Sequence, residues 1–225
     1  MVLHIYILYL TLQHKVLFVM SAEQNYIRDI AEIRSMMERS SKFLSLSGWA
    51  GVMAGIYALV GAYIVHVFFR FRPQELAYDA QDVMQFNLAG VMTVAASVLV
   101  LSIGTAIFLS YQRAAKRRES LWNVTSKRLI ITSAVPLVTG GILVFILMMH
   151  GLIGLLAPVT LVFYGLALYC ASSFTFKEMR ALGIIQILLG LLGATFVGFG
   201  VLLWAIGFGL LHIVYGIYIH MKHER

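Results

Sequence analysis

His212 is the side chain in this sequence best placed to do chemistry inside an apolar environment. It stands in a long uncharged run with Gly209 and Gly216 on its own helical face, so a second helix has room to come close. A neutral imidazole there has one nitrogen that donates and one that accepts, and both need partners. Gln186, Thr195 and the hydroxyl of Tyr164 could supply them from neighbouring apolar runs. His212, Gln186 and Tyr164 are therefore candidates for a ligand or pathway site, with satisfied packing as the plainer alternative. His66 and His150 form a second set, at similar depth near the ends of two other apolar runs. Two imidazoles at one level on different helices are what bis-histidine haem ligation requires, although no second haem level or anchoring Arg accompanies them.

Other chemistry is excluded more firmly. The sequence contains no HExxH, no Walker loop and no GxSxG, and Ser97, Ser102 and Ser110 lack the glycine flanks an intramembrane serine nucleophile would need. The single cysteine, Cys170, can form neither an internal disulfide nor a cysteine-based metal centre within one chain. Glu75, Asp79 and Asp82 would share a face if the segment after Pro73 is helical, and they read as a solvated surface before they read as a cation site. The expectation is a non-enzymatic protein with no cofactor and no metal. A net charge of +7 raises nucleic acid as a partner, but the cations sit in short segments beside apolar runs and no recognition fold accompanies them.

The elements that must hold these residues follow from composition. With 60% hydrophobic and 12% charged residues and a mean hydropathy of +0.87, the chain is too apolar for a soluble domain. The expected fold is all-α, a polytopic transmembrane bundle of six helices at about 43–69, 86–111, 129–149, 152–172, 182–199 and 201–220. No Asp, Glu, Lys or Arg falls inside any of these spans. Proton-coupled carriers, pumps and voltage sensors usually need at least one, so secondary active transport ranks lower, and facilitated passage of a neutral or lipid-like molecule stays open. The first span carries Ala50, Ala54, Ala58 and Ala62 every fourth residue beside Gly51 and Gly55, a stripe that lets helices approach closely and belongs at the centre of the bundle. Phe163-Tyr164-Gly165-Leu166 is echoed by Val214-Tyr215-Gly216-Ile217, which raises a duplicated hairpin.

Charge sets the direction of crossing. Between the second and third spans lies QRAAKRRESLWNVTSKR, 112–128, with six Lys/Arg and one carboxylate. Arg28, Arg34, Arg39, Lys42, Lys177, Arg180, Lys222 and Arg225 fall on the same side by alternation, against only Arg70 and Arg72 on the other. Cytoplasmic loops hold the excess of Lys and Arg, so both termini are expected in the cytoplasm. Lys116, Arg117, Arg118 and Trp122 are candidates to contact anionic headgroups, although topology alone accounts for them. Residues 21–42 read as an amphipathic juxtamembrane helix of mixed charge, able to lie on headgroups or dock a cytosolic protein. Residues 1–20 are interrupted by Gln13, His14 and Lys15 and read as an upstream extension or a weak interfacial segment.

The stretch SAEQNYIRDIAEIRSMMERSSKFLSLSGWAGVMAGIYALVGAY, Ser21 to Tyr63, resembles the start of an uncharacterised family of bacterial six-span inner-membrane proteins. Members of that family are encoded beside a small winged-helix regulator, so the resemblance implies a regulatory or sensing partnership in the inner membrane. It implies no catalytic or binding residues. The expected function is an accessory, sensing or regulatory membrane component that meets a cytosolic partner or anionic lipid, with homo-oligomerisation open. A passive or lipid-handling transporter is the first alternative, and a haem or metal redox protein the second.

Overall fold

In a computed structural model, the structure describes residues 33, 47–79, 82, 87–117, 122 and 124–223. The expectations for 1–20 and 21–42 lie outside the described residues, except that Ile33 is helical and exposed. The unit Phe43–Arg225 holds six helices long and apolar enough to cross a membrane, and no strand occurs among the described residues. Helices are the form such sequences must take, because hydrocarbon offers no partner to a backbone N–H or C=O.

The helices are α1, Gly48–Val67; α2, Leu88–Arg117; α3, Val124–Met149; and α4, Leu156–Ala171, entered through a 3-10 turn at Ile153–Leu155. They are followed by α5, Glu178–Thr195, and a last span α6, Val197–His223. α6 is composite. It opens with a 3-10 turn at Val197–Phe199, runs as α-helix over Gly200–Trp204, widens to a π-helix over Ala205–Leu211 and returns to α-helix over His212–His223. Several helices run past their apolar stretches: α3 begins at Val124 and α5 at Glu178, since polar residues at headgroup depth continue a helix that hydropathy alone ends early. Pro136 lies inside α3, where its missing N–H leaves the carbonyl of Thr132 without its usual backbone donor.

Small residues set the packing. α1 lies between α2 and α6, with Gly51 against the Gly216 Cα and Gly55 against the Gly209 carbonyl and Ile213. α4 and α5 cross where Gly165 meets Gly183, and α3 rests on α4 through Gly140 under the Phe163 ring. By contrast α2 and α3 expose Leu99, Val100, Ile107 and Phe108, and Ile131, Val135, Val138 and Ile142. Apolar surface on that scale would drive aggregation in water and is at no disadvantage in lipid.

Residues 70–79 are irregular, not helical, which removes the shared face expected for Glu75 and Asp79; Asp82 alone of the three is helical. The segment is held by other bonds. Tyr78 Oη accepts the N–H groups of Gln74 and Glu75 at 2.6 and 2.9 Å, and the Tyr78 N–H donates to the Gly151 carbonyl at 2.9 Å. Gly151, at φ +72°, makes the turn between α3 and α4 in a conformation that favours glycine. At the opposite end of the bundle Trp49 and His220 have ring centroids 5.3 Å apart, Arg113 donates to the His223 carbonyl at 3.1 Å, and Lys222 pairs with Glu178 at 2.5 Å. The start of the first span and the end of the last therefore lie at one face.

Candidate functional site

His212 stands near the middle of α6, just past the π segment, and is buried. Its Nδ1 lies 2.9 Å from the Gly207 carbonyl oxygen. That oxygen can only accept, so Nδ1 carries the proton and Nε2 is the bare acceptor. Tyr164, from mid-α4, places its hydroxyl 2.8 Å from Nε2 and donates to it. Gln186, from mid-α5 and wholly buried, donates from Nε2 to the same Gly207 carbonyl at 2.7 Å. With Nδ1 protonated, the 3.4 Å approach of the Gln186 amide nitrogen to it is a contact of two donors sharing one acceptor, not a bond between them.

The backbone makes this possible. A π-helix spreads carbonyls away from their α-helical pattern, and such segments recur at functional sites. Gly207 contributes twice, since a Cβ there would stand 2.5 Å from Gln186 Oε1 and 2.6 Å from Leu161 Cδ2. Only a residue without a side chain lets the amide lie against α6. Around the polar atoms an aromatic wall forms: Phe208 stacks on His212 at 5.8 Å between centroids, Tyr164 lies 4.7 Å and Trp204 4.9 Å from Phe208, and the Trp204 indole donates to Thr160 at 3.2 Å.

His212, Gln186 and Tyr164 are thus brought into one network from three helices. Thr195 is not part of it; its hydroxyl is exposed and bonds the Leu191 carbonyl of its own helix at 3.0 Å. The Gly207 carbonyl, Phe208 and Trp204 join the site without a sequence signal that singled them out. The arrangement holds neutral donors and acceptors and no fixed charge, so it can bind or orient an uncharged polar group.

The other candidates fall elsewhere. His66 and His150 are both exposed, although their neighbours Val65 and Met148 pack on the same buried cluster of Phe71, Ile153 and Leu156. No group of three or more His, Cys, Asp or Glu side chains is arranged to hold a metal among the described residues. Lys116 is exposed at the end of α2, which closes at Arg117; the side chain of Arg117 and all of Arg118 lie outside the described residues. Trp122 is exposed, with the Lys127 ammonium 5.6 Å from its ring centroid. Arg180 over Tyr169 at 4.9 Å and Lys222 over Tyr218 at 5.3 Å repeat that pairing at the same face. Comparison with protein families, with characterised proteins and with solved structures returns no match.

Proposed function

We propose that this chain is a non-enzymatic component of the bacterial inner membrane, with both termini in the cytoplasm, and that it couples the bundle to anionic lipid or to a cytosolic protein. The observation that carries this reading is the charge distribution across the bundle. Lys116, Lys127, Arg128, Lys177, Arg180 and Lys222 are exposed at one face, and the opposite end has Arg70 and Arg72. Each cation near an anionic leaflet adds about 1 kcal/mol of attraction, and an aromatic ring beside it suits headgroup depth. The 21–42 helix expected on that side supplies a second element for a protein partner.

The test is purification of the full chain with its native lipid and protein retained, followed by mass spectrometry. Enrichment of anionic lipid or of one cytosolic protein, lost when Lys116, Arg117 and Arg118 are changed to Gln or when 21–42 is deleted, supports the reading. Bulk-membrane lipid and no partner in either sample would count against it.

A second reading, passive handling of a neutral or lipid-like molecule through α5 and α6, is favoured by the uncharged polar network buried at mid-span. Under it, His212→Leu abolishes solute flux in proteoliposomes; under the first reading that substitution leaves the partner or lipid retained.

A further inference from the structure

Three buried side-chain atoms lack a hydrogen-bond partner among the described residues: Gln186 Oε1, Tyr215 Oη and His223 Nε2. All three belong to α5 or α6. Glu178 and His223 mark the end of that helix pair at the cationic face, with His223 Nε2 3.5 Å from the Glu178 carboxylate. Tyr215 comes two turns deeper along α6, roughly 12 Å at the rise of an α-helix, and Gln186 two turns deeper along α5. Tyr164 packs with Tyr215 on the cluster of Leu168, Phe176, Met179, Leu182 and Ile219. The Tyr164 hydroxyl spends its proton on His212 and keeps its lone pairs.

Dry, Gln186 Oε1 and Tyr215 Oη would each carry a substantial desolvation cost, and hydrocarbon offers nothing to relieve it. Chance would not gather them on one helix interface while the described residues of the neighbouring crossings, between α1 and α6 and between α3 and α4, have none. We infer that the α5/α6 interface holds ordered water leading from the cationic face past Tyr215 to the His212 site, a half-pathway for water and for uncharged hydrogen-bonding solutes of similar size. It ends at Gln186, whose amide oxygen lies against Gly207. Beyond that point α6 presents the Trp204 and Phe208 rings. The inference deepens the passive-handling reading by giving the site one open side, and it stands or falls separately from transport itself.

Silver ion, small and dependent on an aqueous route, tests it in the full chain carrying Cys170→Ser. Tyr215→Cys and Ile219→Cys are compared in vesicles with the cationic face outward, reading silver protection against later alkylation. Ile219 lies one turn nearer the surface but is more deeply buried than the half-buried Tyr215, packed among apolar side chains. The expected result is protection of Tyr215→Cys several-fold faster than of Ile219→Cys; equal or slower protection overturns the inference. A second measurement needs no substitution: hydroxyl-radical footprinting of the unaltered protein should oxidise Tyr215 and Tyr164 several-fold faster than Phe176, which is buried at the same face. Equal rates overturn it. Solute flux without either signal would leave transport standing and remove this path, whereas both signals without flux would keep the path and remove transport.

Discussion

Gly207 shows how much one residue decides here. Its carbonyl accepts from Gln186 and from His212, and its missing side chain is what lets the Gln186 amide lie flat against α6. Gly207→Ala is expected to push the amide away and leave a buried donor unpaired, lowering stability by about 1–2 kcal/mol in reversible detergent unfolding. The matched control is Gly141→Ala, where a Cβ would meet nothing within 4 Å; it should be neutral or slightly stabilising. Tyr164→Phe removes the proton donated to His212 Nε2 and should cost roughly 0.5–1.5 kcal/mol. A double-mutant cycle with His212→Leu then isolates the pair, and a coupling energy near zero would mean that the hydrogen bond does not hold α4 to α6. Part of this site is legible in the sequence, because a histidine in an uncharged run must find partners and few polar side chains are within reach. The acceptor shared by His212 and Gln186 is not legible, because it is a backbone carbonyl and every residue has one. Thr195 offers the same chemistry on paper, but a threonine on a helix bonds its own preceding turn unless a neighbour competes.

Among elements, the apolar runs make six membrane-length helices readable, since charge-free stretches of that length have no other stable form in lipid. The π segment of α6 is not readable, since no residue type marks it. The glycines of α1 sit between these cases. Their spacing announces a close approach, but which helix comes close depends on the tertiary fold. Gly48, Gly51 and Gly55 meet α6, at Gly216, at Gly216 with the His212 carbonyl, and at Gly209 with Ile213. A Cβ at Gly216 would stand 2.6 Å from both the Gly48 carbonyl and the Val52 nitrogen, backbone atoms that cannot rotate aside. Gly216→Ala must therefore move α1 bodily from α6, and the expected loss, about 1–3 kcal/mol by overpacking, should exceed that of Gly207→Ala, where the obstacle is the end of a flexible side chain. Thermal unfolding of both variants under one detergent condition orders them. The reverse order would mean that α1 and α6 adjust more freely than their backbone contact implies.

At the scale of the molecule, contacts at the cationic face tie four helices together. The α6 end meets α1 through Trp49 and His220, α2 through Arg113 and the His223 carbonyl, and α5 through Lys222 and Glu178. The last of these is screened by solvent at Lys222, so Glu178→Gln should barely alter the unfolding temperature. Orientation is governed by something larger than any such pair. The proposed topology rests on cations that a translocating loop would have to carry across hydrocarbon, and the segment between α2 and α3 holds the densest group of them. Reporters inserted at Trp122 and fused after Arg225 should both read cytoplasmic, and one inserted at Gln74 should read external. Changing Lys116, Arg117, Arg118, Lys127 and Arg128 together to Gln removes five of the six cations of that segment. The expected result is a mixed population in which the Trp122 reporter appears on both sides. An unchanged single orientation would mean that the remaining cytoplasmic cations, those of 21–42 above all, suffice to direct insertion. The first span would then set the orientation, not the loop at the middle of the chain.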